Sequence, residues 1–484
     1  MNIVLIDPQS TIANGVRCLS TRLRENNYPV RLIFEQGNTN RMICDSNYIY
    51  RYKQSVLDEI IEFCQGADLV GFSLMTNFFD RARQLTVEIK KRLSVPVVWG
   101  GIHPTMCPEE SLEYADIVCI GEAENSLIEL IKKMEQGRDY FDTRGFAFKK
   151  NGQIIKNDPS QLVKADEIPP PDYNYQEHWI ISEGRLIKLS EKGFLKLNGN
   201  QLSYATSRGC PYKCSYCGNN VLLKLYPDGF LRARSLTGVV NELERIVNKI
   251  PGINKIFFND DNFMSHTIDE FREFAAMYKR KVNLPFSCIT TPASNEQKFK
   301  ILSGVGLQAV YFGLQTVNEN VLREYNRPVS NSKVRQAAMD LAKYESKIKI
   351  NFDVILDSPF ETDYERLNTI RFLLDLPLKF SLWFFSLTFY PGTALTAKAV
   401  KEGIIKKSTY QKCEQGPRSN LINLLFYFTH LAGQGRFPRW VVRLLCSKLI
   451  FLVLNRKILN VILYHFGQYR NRRRYYDSGA ENYQ

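Results

Sequence analysis

The chain has 484 residues, a net charge of +14, a hydrophobic fraction of 44% and a charged fraction of 24%. This composition is that of a globular protein with about two to four domains, and it excludes the disordered, collagen-like and coiled-coil classes. The eleven cysteines are too dispersed for a small disulfide scaffold and favour a reducing compartment. Neither a secretory signal nor an apolar run of transmembrane length is visible. We therefore expect a multidomain protein of the cytoplasm.

Residues 1–150 alternate short apolar runs with stretches of helical periodicity. The predicted strands are 2–6, 69–73, 95–99 and 117–120. The predicted helices are 54–65 and 82–93. This alternation indicates an α/β domain with a Rossmann-like, doubly wound parallel sheet, which binds ligands at the carboxyl ends of its strands.

Polar and glycine-rich loops follow these predicted strands. They contain Ser73, Thr76, Gly100, Gly101, His103, Gly121 and Glu122. Glycine allows close approach of backbone to a ligand, and three such loops favour a large, flat ligand over simple turns. The absence of a Gly-x-Gly-x-x-Gly motif argues against a dinucleotide.

Residues 151–195 are predicted to form a connector, and residues 196–400 resume the alternation. The predicted strands of this second part are 202–206, 255–258, 286–290, 309–312, 348–355 and 382–387. The predicted helices are 237–249, 268–282, 331–344 and 363–374. Six strand–helix units indicate a partial (β/α)6 TIM barrel, which carries its chemistry at the C-terminal rim of the strands.

The loop after the first predicted barrel strand contains three cysteines within eight residues, Cys210, Cys214 and Cys217. In a reducing compartment, such closely spaced thiols indicate metal ligands and not a disulfide. A closed tetrahedral zinc site needs four ligands, whereas three thiolates leave one metal position open for a substrate or cofactor. A zinc site with one distant ligand is the alternative that this spacing disfavours.

The spacing Cys-x3-Cys-x2-Cys, with Tyr216 before the last cysteine, resembles the signature of the radical S-adenosylmethionine (SAM) superfamily. Later segments are similar, in the same order, to motifs of the superfamily members that carry a cobalamin domain, the class B-like methyltransferase group. These segments are Asp260-Asp261-Asn262-Phe263, Gly313-Leu314-Gln315-Thr316 with Asn326-Arg327, residues 353–361, and Tyr390-Pro391-Gly392-Thr393.

The resemblance implies three cofactors: a [4Fe–4S] cluster on Cys210, Cys214 and Cys217, SAM on the open iron, and cobalamin on residues 1–150. Cobalamin is expected base-off, without a protein histidine on cobalt. The implied reaction is reductive cleavage of SAM to a 5′-deoxyadenosyl radical, with C-methylation of an unactivated carbon on a small-molecule or lipid-like substrate. A flavodoxin- or ferredoxin-type reductant is implied as the electron donor.

The resemblance also suggests which residues contact the cofactors. Contacts to SAM are expected from Tyr216, Gly218, Asn219, Asp260, Asp261, Gly313, Gln315, Thr316 and Asp353. Contacts to cobalamin are expected from Ser73, Thr76, Gly100, Gly101, His103, Gly121 and Glu122. Gln315 occupies a position at which many members carry Glu, and a packing role is the alternative for His103.

Two other enzyme functions stay open at this point. One is a cobalamin-dependent radical cyclase or oxidase without methyl transfer. The other is a tRNA methylthiotransferase, which shares the style of cysteine loop. No β-rich RNA-binding tail follows the predicted barrel, so the methylthiotransferase is the less favoured of the two.

Residues 401–484 are predicted to form a basic, amphipathic helical region. Eleven bases and no acid lie between residues 415 and 476, so most of the net positive charge belongs here. Apolar residues at helical spacing beside these bases predict either a helix lying on the inner face of a membrane or a helical cap on the barrel. The run Arg472-Arg473-Arg474 would add attraction to an anionic surface. Nucleic acid is not expected as a partner, because the aliphatic content beside the bases is high.

Overall fold

The computed structural model describes residues 1–35, 52–182, 184–292, 296–406, 417–455 and 461. The chain divides into two compact units. Among the described residues, those within 1–35, 52–256 and 389–406 form the first unit, and those within 257–388 and 417–455, with 461, form the second. No helix in these ranges is both long enough and apolar enough to cross a membrane. The run Arg472-Arg473-Arg474 lies outside the described residues.

The first unit opens with alternating strands and helices. They are β1 (Ile3–Asp7), α1 (Asn14–Glu25), β2 (Val30–Glu35), α2 (Gln54–Cys64), β3 (Leu69–Ser73), α3 (Phe79–Arg92), β4 (Val97–Gly100), α4 (Ile102–Met106), α5 (Pro108–Ser111), β5 (Ile117–Cys119) and α6 (Ser126–Glu135). The elements that follow are β6 (Phe146–Lys150), β7 (Gln153–Lys156), β8 (His178–Ser182), β9 (Arg185–Lys188), α7 (Glu191–Leu197), β10 (Gln201–Tyr204), β11 (Ser207–Arg208), α8 (Asn219–Leu225), β12 (Arg232–Ala233) and α9 (Leu236–Lys249).

Nine of these strands form one sheet in the order β7-β6-β5-β4-β3-β1-β2-β8-β9. Strands β5, β4, β3, β1, β2 and β8 run parallel, whereas β6, β7 and β9 add antiparallel edges. The predicted Rossmann-like parallel sheet is therefore confirmed. Because β2 and β3 lie on opposite sides of β1, the strand order reverses between β1 and β3, which is where such folds bind ligands.

The segment 151–195, predicted as a connector, contributes β7, β8 and β9 to this sheet. Its periodicity is weak because β7 and β9 are short edge strands with mostly exposed side chains. The buried Arg17 of α1 fixes the segment to the unit: its guanidinium donates to the carbonyl of Asp172 at 2.5 Å and lies over the rings of Tyr173 and Phe194. The segment is thus part of the first unit and not a separate linker.

The boundary between residues 256 and 257 falls inside β13 (Lys255–Phe258), and the second unit continues the alternation from there. The elements after it are α10 (Ile268–Lys281), β14 (Phe286–Thr290), α11 (Glu296–Ser303), β15 (Leu307–Gln315), α12 (Glu319–Glu324), α13 (Asn331–Ala342), β16 (Lys349–Leu356), α14 (Asp363–Leu374) and β17 (Ser381–Ser386). Strands β13 to β17 lie side by side in chain order, and β14 to β17 are parallel. All six strands predicted for the barrel, including β10, are strands in the structure.

The C-terminal region is helical, as predicted. After α15 (Ala394–Lys401) of the first unit come α16 (Leu421–Gly433), α17 (Arg439–Leu445) and α18 (Lys448–Leu454) of the second. Helix α16 packs against β17: the Nδ1 of His430 accepts from the amide of Leu382 at 2.9 Å, and the carbonyl of Gly433 accepts from the amide of Phe380 at 3.1 Å. The alternative of a helical cap therefore holds for α16.

Candidate functional site

The loops that follow β3, β4 and β5 meet at one edge of the first unit's sheet. The amide of Leu74 donates to the carbonyl of Gly100 at 2.9 Å, and the amide of His103 donates to the carbonyl of Leu74 at 3.3 Å. The amide of Gly121 donates to the hydroxyl of Thr105 at 2.9 Å. The residues predicted to contact cobalamin therefore come together at the carboxyl edge, as a ligand site of this fold requires.

Gly101 is needed because its backbone lies against the backbone of Leu74, and not because a ligand approaches it. Its φ is +97°, and a Cβ atom there would lie 2.7 Å from the carbonyl oxygen and 2.8 Å from the amide nitrogen of Leu74. Both distances are far below van der Waals contact, so only glycine fits. The residue allows two loops of the same unit to touch each other.

His103 lies inside the first unit and is fully buried. Its Nδ1 is 3.2 Å from the hydroxyl of Thr76, and its ring centroid is 4.9 Å from that of Phe79. Burial lowers the pKa of His103 to about 4, so the imidazole is neutral at ordinary pH. These contacts favour the packing alternative for His103, and we do not include it among the proposed cobalamin contacts.

Gly121 and Glu122 face the segment that follows the cysteine loop. A Cβ atom on Gly121 (φ +86°) would lie 2.0 Å from the hydroxyl oxygen of Tyr226, so Tyr226 fills the space that the missing side chain leaves. The same hydroxyl accepts from the amide of Glu122 at 3.3 Å. The absence of a side chain on Gly121 therefore makes room for the Tyr226 hydroxyl of the same chain.

Two arginines bind the carboxylates of this loop. Arg208, directly before the cysteine loop, donates to Glu122 at 2.8 Å and to Glu124 at 2.5 Å, and Arg232 pairs with the other oxygen of Glu122. Burial opposes ionisation of Glu124, but Arg208 and then Arg232 outweigh it and hold the pKa of that carboxyl below its usual value. Because both oxygens of Glu122 bind arginines, this residue anchors the cysteine loop, and we no longer assign it to cobalamin.

The cysteine loop begins where β11 ends. Strand β11 pairs with β12, and Gly209 follows at a φ of +91°, where a Cβ atom would lie 3.0 Å from the ring of Phe230. The amide of Cys217 donates to the carbonyl of Cys214 at 3.1 Å, which closes a turn before α8. Cys214 is buried, whereas Cys210, Tyr216, Cys217, Gly218 and Asn219 are half-buried.

The donor set of this loop fits an iron–sulfur cluster. In the part of the chain that the structure describes, no three His, Cys, Asp or Glu side chains converge closely enough to share one metal ion. A [4Fe–4S] cluster places each thiolate on a different iron, so its ligands need not meet at one point. Three thiols on one short, anchored loop suit such a cluster and leave its fourth iron available.

A second group of predicted residues meets at the carboxyl ends of β15 and β16, in the second unit. Gly313 is paired in register with Asp353, and its carbonyl accepts from the guanidinium of Arg327. Gln315 has a φ of +70°, at an irregularity of the ladder that follows Gly313. Burial raises the pKa of Asp353 to about 7, against the opposing charge of Arg327. The structure thus brings Gly313, Gln315 and Asp353 together.

The remaining predicted residues of the second unit differ in accessibility. Asp260 is buried and Asp261 is exposed. Thr316 is buried, and its hydroxyl donates to Glu361 at 2.7 Å. Burial raises the pKa of Glu361 to about 6. This contact within the unit explains Thr316 without a bound molecule.

Sequence reasoning from the residues alone did not assign roles to Glu124, Tyr226 or Arg232. Glu124 carried a signal, since it follows Glu122 by two residues in a loop at a strand end. Tyr226 and Arg232 carried none, because nothing in the sequence shows that the segment after α8 reaches the Gly121 loop.

Two family models match the chain. Residues 8–131 match the B12 binding domain, and residues 204–373 match the radical SAM superfamily. The chain therefore contains a B12-binding domain and a radical SAM domain. The radical SAM match contains the cysteine loop and the Gly313–Asp353 group, and the B12 match contains the strand-end loops of the first unit.

Curated relatives of this chain include two methyltransferases. An uncharacterized methyltransferase of Pyrococcus horikoshii is 26% identical over 358 residues, which are 71% of this chain and 72% of the relative. The bacteriochlorophyllide d C-8(2)-methyltransferase of Chlorobaculum tepidum is 25% identical over 360 residues, 71% of each protein.

Among solved structures, the fold is similar to that of the radical SAM methyltransferase TsrM of Kitasatospora setae. With tryptophan substrate and a SAM analogue bound, that structure gives a TM-score of 0.66 at 18% identity, over 83% of this chain and 76% of TsrM. A TsrM structure with cobalamin and a [4Fe–4S] cluster gives a TM-score of 0.64. At this identity the similarity concerns the fold.

Proposed function

We propose that this protein is a cobalamin-dependent radical SAM methyltransferase that adds a methyl group to an unactivated carbon of a small-molecule or lipid-like substrate. The observation that carries the proposal is the presence of a B12-binding domain and a three-cysteine radical SAM domain in one chain. When bound, the cluster supplies the electron that cleaves SAM, and cobalamin supplies the methyl group for transfer.

The residues of this chain bind and orient these groups. We assign Cys210, Cys214 and Cys217 to three irons, and we assign Arg208, Glu122 and Glu124 to positioning their loop. Contacts to SAM are proposed for Tyr216, Gly218, Asn219, Asp260, Asp261, Gly313, Gln315 and Asp353. Contacts to cobalamin are proposed for Ser73, Thr76 and Gly100 and for the backbone of the Gly101 and Gly121 loops.

Anaerobic reconstitution with iron, sulfide and hydroxocobalamin tests the cofactor assignment. We expect about four irons per chain with one cluster and stoichiometric cobalt. A preparation without cobalt after this treatment would contradict the cobalamin assignment, and one without iron would contradict the cluster assignment.

Product analysis separates the proposed methylation from the alternatives. With SAM deuterated in its methyl group and a reductant, a methyltransferase forms 5′-deoxyadenosine, S-adenosylhomocysteine and a deuterated methyl product. A cyclase or oxidase forms 5′-deoxyadenosine without S-adenosylhomocysteine. A tRNA methylthiotransferase would add sulfur to RNA, so incubation with bulk tRNA provides the third comparison.

We further propose a cytoplasmic location, a flavodoxin- or ferredoxin-type reductant, and contact of α17 and α18 with the inner face of a membrane. The last proposal is supported by five exposed apolar side chains on these two helices: Trp440, Leu444, Leu449, Leu452 and Val453. Trp440 is 67% exposed and Leu449 is 79% exposed, whereas Val442 and Phe451 on the same helices are buried. Exposed aromatic and aliphatic side chains beside bases are typical of interfacial helices.

A further inference from the structure

The sheet of the second unit has two faces with different surroundings. Phe258, Phe312 and Phe352 are buried on one face, where Phe274 of α10 and Phe299 of α11 pack on them. Along β15 and β16, the alternate side chains point to the other face and are only half-buried. This second face, the open face, is therefore not a site of core packing by the unit's own helices.

Three aromatic rings form a continuous row across the open face. The ring centroids of Phe257 and Tyr311 are 5.6 Å apart, and those of Tyr311 and Trp383 are 5.3 Å apart. Each pair is nearly perpendicular, at 77° and 83°. We call Phe257, Tyr311 and Trp383 the aromatic row. It crosses the sheet from β13 through β15 to β17.

Trp383, one of the three members of the row, and the neighbouring Phe385 retain large accessible apolar surface in the folded chain. Trp383 is 47% exposed, and Phe385, two residues further along β17, is 44% exposed. Keeping aromatic area in water forgoes the free energy that its burial would release. The core explains neither side chain, so their type points to contact with a molecule that enters this face.

The register of the strands fixes the row beside the residues proposed for SAM. Asp353 pairs with Gly313 on one side and with Trp383 on the other. Tyr311 pairs with Asn351, one position before Asp353 on the same face of β16. A molecule lying on the row would therefore have one end next to the Gly313–Asp353 group.

We infer that the aromatic row binds a flat, conjugated or fused-ring part of the substrate. This inference rests on the proposed function, which places SAM next to the row. Aromatic rings pack on planar unsaturated systems with favourable stacked and edge-to-face geometry. A flexible saturated chain gains only area burial from the same surface and loses rotational freedom. The row thus favours a planar ligand over an aliphatic chain.

Binding of two probes to the reconstituted full-length protein tests this inference. Protoporphyrin IX represents a planar conjugated ligand, and palmitate represents a linear saturated one that also carries a carboxylate. We expect protoporphyrin IX to bind more tightly by calorimetry, and we expect Trp383→Ala to weaken it at least about tenfold. Tyr427→Ala is the matched control, because Tyr427 is an aromatic residue of similar exposure (50%) that lies on α16, and it should leave the Kd unchanged.

A second variant guards against misfolding. Trp383→Leu retains apolar volume without a planar ring. It should therefore weaken the binding of protoporphyrin IX and leave the melting temperature near the parental value. Parental affinity in both Trp383 variants, or equal affinity for palmitate, would overturn the inference. Formation of 5′-deoxyadenosine in the same preparations reports on the proposed function separately, since the binding measurement needs no SAM cleavage.

Discussion

Cys214 is the buried one of the three loop cysteines, and its carbonyl accepts from the amide of Cys217 in a turn. We expect Cys214→Ala to abolish iron incorporation and 5′-deoxyadenosine formation, because two thiolates do not retain a four-iron cluster with one open site. Iron content and SAM cleavage after reconstitution measure both effects. Cys64→Ala is the control, since Cys64 is a buried cysteine of α2 outside the loop. Parental 5′-deoxyadenosine formation by Cys214→Ala would contradict the cluster assignment.

Gly101 illustrates a residue whose role the structure changes. At φ +97° and with Leu74 backbone atoms in the place of a Cβ, Gly101→Ala should destabilise the protein by roughly 1–3 kcal/mol. Gly15→Ala is the matched control, because Gly15 lies in α1 with open space around a Cβ. Thermal unfolding compares the two. Equal melting temperatures for Gly101→Ala and the parent would show that the loops do not touch as described.

At the scale of elements, the C-terminal helices divide into two kinds. Helix α16 is part of the second unit's core, where Leu425 and Phe426 are buried. Arg439 at the start of α17 donates to the carbonyls of Leu374, Leu376 and Leu378, so it caps the end of α14. A base that looked available for a membrane is in this case a structural residue.

Truncation separates these roles. Removing all residues after Gln415 should destabilise the second unit, because the buried face of α16 and the bond from the Leu382 amide to His430 are lost. We expect aggregation or a clearly lowered melting temperature, whereas a chain ending at Leu454 keeps all three helices. A soluble and equally stable protein ending at Gln415 would contradict the packing of α16.

Flotation tests the exposed surface of α17 and α18. We expect Leu449→Asp with Leu452→Asp to reduce binding to phosphatidylcholine vesicles containing phosphatidylglycerol by tenfold or more, because each buried leucine contributes about 1.5–3 kcal/mol. Met339→Asp is the control, since Met339 is half exposed on α13. Without flotation of the parental protein at low salt, the membrane proposal fails. If the parental protein forms a dimer and does not float, a second copy of the chain covers the exposed surface of α17 and α18.

At the scale of the whole molecule, buried acids make stability depend on pH. Burial raises the pKa of Asp7, at the end of β1, from 3.8 to about 7, while the amides of Gln9 and Ser10 oppose the shift. The folded state therefore holds a proton that the unfolded chain releases. This contribution to the free energy of unfolding is complete below about pH 4 and is lost as the pH rises through about 7.

Asp7→Asn should remove that contribution. We expect the parental melting temperature to fall between pH 5 and pH 8 and the variant to fall less, so that the variant is the more stable protein at pH 8. Asparagine can still accept from the two amides through its Oδ1. Glu273→Gln removes an exposed carboxyl of α10 as the control. An unchanged pH slope in Asp7→Asn would show that Asp7 is ionised in the folded state.

The strands of the barrel could be read from the sequence because apolar residues dominate them. The strands Lys255–Phe258 and Phe286–Thr290 have the predicted bounds, as does the helix Asp363–Leu374. The edge strands β7 and β9 could not be predicted, since each has only four residues, mostly exposed, and shows no alternation of apolar and polar side chains.

The cysteine spacing and the order of the motifs were determined by the sequence alone, because a metal-binding loop needs its donors within a few residues. The tertiary structure decided which neighbours the other residues have. In the folded chain, Glu122 forms ion pairs with Arg208 and Arg232, and His103 is buried. Backbone atoms of Leu74 occupy the space that a side chain on Gly101 would need. Such contacts join segments many residues apart, and a polar residue in a strand-end loop looks the same in sequence whether it faces a ligand or another part of its own chain.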